Sequence, residues 1–331
     1  MLEVLACPVP MSVQDLGRYG YRHFGVPVSG ALDPFSLRLV NALVRNAKDA
    51  AALEMRLTGP RLQAHEPVRV ALARASGVIE RVTGEQHALP SWQSATLAAG
   101  DQLRIGAVQG GAGYLAVAGG IDVPLVLGSR STYARAGLGV TVREGTWLPV
   151  GSTRLNSPEL VAPLLPEFDS DAPVRCIPGP QREAFTAEAL DVFLSSEYVV
   201  TPAADRMGLR LAGPILSHVG GADIVSDAVT PGAIQVPGDG QPIVLLADGQ
   251  TVGGYAKIAT VIVADLPRLG RLLPGAKLRF AFVDSVQALV ALKRSEEDLA
   301  RLIAGLRPLA SGLDLEALYQ GNLVDGVVRA E

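Results

Sequence analysis

Between Leu53 and Val142 the chain is cut into short apolar, β-branched runs by turn residues every 8–12 positions or so, and this cadence restricts the fold more than any other feature of the sequence. The runs are Leu53–Leu57, Val68–Ala73, Gly77–Arg81, Ala95–Leu97, Gln102–Ala107, Tyr114–Ala118 and Gly139–Val142. An earlier strand is expected from Val4, ending in the turn at Pro8–Pro10. A second series follows at Val174–Ile177, Leu209–Leu211, Ala233–Val236, Ile243–Leu246, Ile258–Ala264 and Leu278–Val283. Segments this short cannot bury themselves singly; closed into a barrel or sandwich they cover one another. The chain is therefore read as mainly β with a few helices. One helix is expected over residues 34–47, where Asp33 caps, Pro34 takes the first helical position and Leu37, Val40, Val44 and Ala47 share a face. A second is expected near Ala184–Leu194. A third starts at Asp284 or Ser285, with Val286, Leu289, Leu299, Leu302 and Leu306 as its apolar face and Pro308 at its end.

The domain plan follows from composition shifts. Residues 1–150 form a first β unit, and 151–173, with Pro158, Pro163, Pro166 and an acidic run at Glu167–Asp171, read as a linker. Residues 174–285 form a second β unit, and 286–331 a helix and tail. Arg56–Leu62 resembles Arg210–Leu216, each with a Gly-Pro pair at its centre, and this points to an internal duplication.

With 331 residues, 48% of them hydrophobic and 19% charged, there is ample material for two cores. A net charge of −4 and the lack of Lys/Arg runs argue against a nucleic-acid partner. No stretch approaches the roughly 20 apolar residues of a membrane span, and the amino terminus does not resemble a signal peptide, so a cytoplasmic location is expected. Cys7 and Cys176 imply no disulfide framework, and His23, His65, His87 and His218 lack metal-ligand spacing, so no metal is expected. Gly111–Ala116 fits a dinucleotide fingerprint only in letters, because no helix can follow it. There is no phosphate-binding P-loop, and no Met-Lys pair of a biotin carrier.

The chemistry is expected around Asp248–Tyr255, a polar, glycine-rich loop between two apolar strands. Asp248 offers a base or orienting acceptor, Gln250 and Thr251 offer donors, and Gly253 and Gly254 offer backbone N–H groups and close approach. Gly128–Thr132 presents Arg130, Ser131 and Thr132 either to a carboxylate or phosphate, or as a surface turn whose arginine pairs with a nearby acid. The polar run after Ser12 adds Gln14, Asp15, Arg18, Ser29 and Asp33; Asp33 also serves as helix cap.

Val13-Gln-Asp-Leu-Gly-Arg-Tyr-Gly-Tyr21, Gly25-Val-Pro-Val-Ser-Gly-Ala-Leu-Asp33 and Asn41–Asn46 resemble the biotin-dependent carboxyltransferase-like family. That family includes the 5-oxoprolinase C component, the antagonist of the Kip kinase inhibitor, and allophanate hydrolase subunit 2. The resemblance continues through Leu53-Glu54, Gly59-Pro60, Tyr114–Gly120, Gly128–Thr132, Arg206–Gly208 and Ile234–Pro237 to Asp265. The chain departs from it at Pro8–Met11 and at Ala112-Gly113. The resemblance implies two cyclophilin-like β-barrel modules. It also implies two partners, the Kip-inhibitor-like B component and the A component of 5-oxoprolinase, with ATP used by the assembly and no cofactor held covalently. Candidate catalytic residues are then Asp248, Gln250, Thr251 and Asp15. Candidate substrate-binding residues are Gln14, Arg18, Ser29, Arg130, Ser131, Thr132, Gln235, Gly253, Gly254 and Tyr255. The implied activity is that of the C component in an ATP-dependent opening of the lactam of 5-oxoproline to glutamate. The alternatives are the carboxyltransferase half of a urea- or amide-carboxylating system and a binding module that antagonises a Kip-type kinase inhibitor.

Overall fold

The computed structural model describes residues 1–152, 155–162 and 171–309. Much of the expected linker, and the tail from Ala310, lie outside them. The chain is mostly β with four α-helices among the described residues: α1 (Pro34–Leu43), α2 (Ala187–Ser195), α3 (Leu266–Gly270) and α4 (Ser285–Ala304).

In the first half two six-stranded antiparallel sheets face each other. One runs in the order Trp147–Leu148, Leu2–Ala6, Arg61–Ala64, Gln102–Val108, Ala75–Glu80, Gln86–Leu89. The other runs Thr141–Val142, Met11–Gln14, Ala52–Met55, Gly113–Val117, Val68–Ala73, Ser94–Leu97. Val70, Leu72, Leu115 and Val117 of the second sheet point into the core between the sheets, against Leu2, Leu62 and Leu103 of the first. The alternate residues Ala71, Ala73, Tyr114 and Ala116 point the other way, into a cluster with Leu37, Val40 and Leu43 of α1. Burial on both faces explains why these strands read as continuous apolar runs rather than as alternating ones.

In the second half eight strands run in the order Lys277–Leu278, Tyr198–Val200, Gly208–Ala212, Ile243–Leu245, Ala233–Gln235, Lys257–Val261, Val174–Pro178, Phe280–Phe282. The two edges are consecutive pieces of one chain segment, so Lys277–Phe282 nearly closes the sheet into a barrel. The pairing of Val174–Pro178 with Phe280–Phe282 is parallel. Closure removes the exposed edges that an open sheet would leave. Phe193 of α2 stacks on Phe280, ring centroids 4.7 Å apart, and caps this core.

The same apolar cluster that holds α1 continues through Val174, Phe193, Leu209, Ile258 and Leu299 of the second half. Arg38 of α1 makes a two-pronged ion pair with Glu296 of α4, both N–O distances 2.7 Å. The halves therefore meet through a common core and a strut between helices.

Local differences from the sequence reading have physical causes. α1 begins where expected, with the Asp33 carboxylate accepting from Ser36 N–H at 3.0 Å, but it ends at Leu43 rather than residue 47. Arg45 sits in the left-handed region, φ 61°, and the Arg45 and Asn46 N–H groups bond back to the Ala42 and Asn41 carbonyls. This is a helix-ending turn usually carried by glycine. In α4, Asp284 is the cap, with a reciprocal Gln287 bond. Leu299 is buried, but Val286 and Leu289 are exposed. Leu302 is half-buried against the same core, and Leu306 lies beyond the helix, past its C-cap Gly305. The strand expected over Ile258–Ala264 stops at Val261 and turns into α3, whose second residue is Pro267.

Candidate functional site

Three loops meet at the seam between the halves: residues 14–30 and 126–132 from the first, and 246–251 from the second. Close backbone packing brings the first loop together. A Cβ on Gly30 (φ 85°) would lie 2.8 Å from Gly17 N, so only glycine fits there. Ser29 takes φ 55°, and its N–H donates to the Ala247 carbonyl at 2.9 Å, tying the first half to the Asp248 loop. A serine held in that region at such a junction is strained.

The Gly128–Thr132 turn does gather donors around a carboxylate, and the carboxylate belongs to the chain itself. Asp15 accepts from Ser129 Oγ at 2.7 Å, Ser131 Oγ at 2.5 Å, Arg130 N–H at 2.7 Å and Gly17 N–H at 2.8 Å. Thr132 Oγ1 donates to the Val13 and Val140 carbonyls. The Arg130 guanidinium turns aside to Asp122 and the Val123 carbonyl. Asp15, Ser131 and Thr132 thus fasten two loops together, and Arg130 braces the outside of that joint.

Fastening positions Arg18. Its side chain is 1% exposed and donates to the carbonyls of Val126 (2.9 Å) and Ser131 (2.8 Å), while Nη1 is buried with no partner among the described residues. Burial lowers the affinity of this guanidinium for its proton, and the nearby charges of Asp15 and Asp248 oppose that. Arg22, four residues on, donates to the Val229 carbonyl of the second half and also keeps a buried Nη1 without a partner among the described residues. Gln14 donates to Ser12 Oγ and the Thr132 carbonyl, and among the described residues its buried Oε1 and the buried Ser29 hydroxyl have no partner. Buried polar groups are almost always satisfied. Several atoms left without a partner among the described residues are clustered at this seam.

Asp248 is held by Arg206, which donates Nε to Oδ2 at 2.8 Å and Nη2 to Oδ1 at 3.1 Å. The same guanidinium pairs with Glu54 and donates to the Gly30 carbonyl at 2.7 Å. Burial alone would lower its proton affinity, but Glu54 and Asp248 together raise it. Glu54 Oε2 in turn accepts from Leu32 N–H and Tyr114 OH, at 2.9 and 2.8 Å. Burial, followed by the charges of Glu54 and Asp33, raises the Tyr114 phenol well above its ordinary value. Glu54, Arg206 and Tyr114 are not among the candidates that the sequence picks out. The available signal is a glutamate inside the apolar strand Ala52–Met55, since a charge there must be paired.

The stretch expected as one long loop divides in two. Asp248–Thr251 is a turn, and Val252–Tyr255 is a strand paired with Asp223–Ala228 in a two-stranded ribbon. Gly253 lies opposite Asp227 in that ladder, and Lys257 Nζ, buried, ties Asp227 Oδ2 to the barrel at 2.6 Å. Gln250 Nε2 donates to Gln235 Oε1 at 3.0 Å. Gln235, Gln250 and Tyr255 line an open cavity of about 230 Å3 with Arg135, Asp205 and Arg210. A neighbouring cavity of about 160 Å3 is lined by Ser12, Glu54, Arg56, Thr132, Arg206 and Asp248. Of the candidate residues, Gln235, Gln250 and Tyr255 thus line one cavity and Thr132 and Asp248 the other, while Asp15, Gln14, Arg18, Ser29, Arg130, Ser131, Thr251, Gly253 and Gly254 line neither.

Comparison with known proteins places this arrangement. The family described as carboxyltransferase domain, subdomains A and B, matches residues 24–282. The 5-oxoprolinase C component of Escherichia coli is 36% identical over 296 residues, covering 88% of this chain and 94% of that one. Among solved structures, TTHA0988 superposes with a TM-score of 0.75 at 36% identity, covering 85% of this chain and 55% of that one. The urea carboxylase of Kluyveromyces lactis superposes with a TM-score of 0.81 at 30% identity, over 91% of this chain and 29% of that one. This chain therefore spans little more than half of the first solved relative and under a third of the second, and it belongs to the carboxyltransferase domain family built from subdomains A and B.

Proposed function

We propose that this chain is the C component of a 5-oxoprolinase, acting with a Kip-inhibitor-like B component and an A component in the cytoplasm to open the lactam of 5-oxoproline with ATP. The observation that carries the reading is the near end-to-end match to a 5-oxoprolinase C component, 94% of which is covered, against 29% of the urea carboxylase. The seam is compatible with it, because Arg18, Arg22 and Ser29 each keep a buried polar atom without a hydrogen-bond partner among the described residues.

A lactam carbonyl is stabilised by resonance and resists water. Phosphoryl transfer to the amide oxygen turns that oxygen into a leaving group, after which attack at carbon requires donors for developing negative charge and an acceptor for a proton. In this reading Asp248, oriented by Arg206, accepts a hydrogen bond from the substrate nitrogen or the attacking water, and Gln250 and Thr251 steady the ring. Arg18 and Ser29 donate to the anionic oxygens. Asp15 acts at one remove, as the positioning residue that sets the Arg18 loop.

The test is ATP-dependent glutamate release from 5-oxoproline by this chain alone, with either partner, and with both. Release only from the full mixture is the expected result. Its absence there would overturn the reading, and biotin-carrier-dependent carboxylation in its place would assign the chain to amide carboxylation.

A further inference from the structure

Gln235 and Gln250 make a hydrogen-bonded pair that is chemically unfinished. Gln250 Nε2 donates to Gln235 Oε1 at 3.0 Å, while Gln235, 1% exposed, keeps its Nε2 buried and unpartnered. Gln250 Oε1 accepts from no group among the described residues. In this arrangement the groups left over are the buried Gln235 amide nitrogen, a donor, and the Gln250 carbonyl oxygen, an acceptor. Both residues line the 230 Å3 cavity. The charged groups on its wall matter too. Arg135 and Asp205 pair with each other at 3.3 Å, which leaves Arg210 as the wall's uncompensated cation among the described residues.

We propose that the Gln235–Gln250 pair reads the cis-amide edge of a small cyclic amide, its N–H to the carbonyl and its carbonyl to the ring N–H, while Arg210 takes a carboxylate on the same ring. A ring amide is locked cis, so it presents its N–H and C=O on one side, where a single ligand edge can engage one donor and one acceptor. An open-chain trans amide presents them on opposite sides. A site built to satisfy both groups rejects analogues missing one, because its own buried atom then stays unpaired. The proposal rests on the lactam-opening reading for the identity of the ring. The same amide edge occurs in a cyclic urea such as the biotin head, which lacks the nearby carboxylate.

The experiment is direct binding, by calorimetry, of four probes to the assembled complex and to the full chain. The probes are 5-oxoproline, its lactone analogue 5-oxotetrahydrofuran-2-carboxylate, 2-pyrrolidinone and 2-imidazolidinone. The lactone keeps the carbonyl and loses only the N–H, so its binding is expected to be at least tenfold weaker than that of 5-oxoproline. Gln235→Glu keeps the volume, replaces the free donor by an acceptor, and is expected to weaken every cyclic amide at least tenfold. Arg210→Gln is expected to weaken 5-oxoproline several-fold and leave 2-pyrrolidinone unchanged. Tighter 2-imidazolidinone than 5-oxoproline, indifferent to Arg210→Gln, would overturn the carboxylate assignment and point to a ureido ligand. Equal lactam and lactone affinities, or Gln235→Glu binding like the parent, would overturn the amide-edge site even if glutamate release is normal. Failure of glutamate release with 2-imidazolidinone binding retained and lost in Gln235→Glu would instead remove the functional reading and leave the site standing.

Discussion

Arg206 carries more of the seam than any other side chain. It answers two carboxylates, Glu54 from the first half and Asp248 from the second, and it also closes onto the Gly30 carbonyl. Breaking such a buried network strands the remaining charges, which typically costs about 3–5 kcal/mol. Arg206→Met is expected to lower stability by about that much in urea denaturation, and a loss under about 1 kcal/mol would contradict the pairing. Cys176 shows the opposite design. Burial, with a smaller push from the charge of Asp265, raises its thiol to about 12. For an acid whose folded value is raised, the neutral form stabilises the fold at low pH, and the contribution fades as pH climbs from the unfolded value of about 8.5 toward 12. Below that window the thiol is neutral and sealed. A thiol-specific reagent at pH 8 is therefore expected to modify no more than one cysteine per native chain, Cys7, and both after unfolding. Two fast-reacting thiols in the native protein would refute this.

Helix ends and strand edges show what local sequence encodes and what it leaves to tertiary context. The start of α1 is legible in Asp33-Pro34, because a cap and a proline at the first position act through their own backbone. Its end is not, because Arg45 occupies a left-handed position that sequence reading assigns to glycine or asparagine. Arg45→Gly is expected to be neutral to stabilising, by up to about 1 kcal/mol, through relief of the left-handed Cβ clash. A loss beyond that range in thermal or urea unfolding would show that the arginine side chain does other work. The ribbon partner Asp223–Ala228 is hidden for a different reason: it is largely exposed, so no alternation marks it, and Gly253-Gly254 opposite has low strand propensity. At the site, polar composition and glycine content locate the right neighbourhood. They do not reveal that Asp15 is consumed by Ser129, Ser131 and Arg130, since those contacts span more than 110 residues. Gly253 has a positional role as well. A Cβ there would lie 2.4 Å from Gln235 Nε2, so Gly253→Ala is expected to shift that amide and weaken cyclic-amide binding while leaving the barrel folded. Unchanged binding would separate the ribbon from the glutamine pair.

Across the whole molecule, one apolar cluster runs from α1 through the second barrel to α4. A shared core makes the halves unfold together. Fluorescence of Trp92, buried in that cluster from the first half, and far-ultraviolet circular dichroism are expected to report one transition with one midpoint. Two separated midpoints would mean that the halves are independent. Cooperativity matters for the chemistry because the seam supplies groups from both sides: Arg18 and Ser29 from one, Asp248, Gln250 and Thr251 from the other. The decisive measurement is turnover by the reconstituted three-component assembly carrying Asp248→Asn. The assembly is expected to form as before, with ATP-dependent glutamate release reduced by about a hundredfold or more, the range expected for loss of a positioned proton acceptor. Undiminished release from an intact assembly would place the chemistry elsewhere.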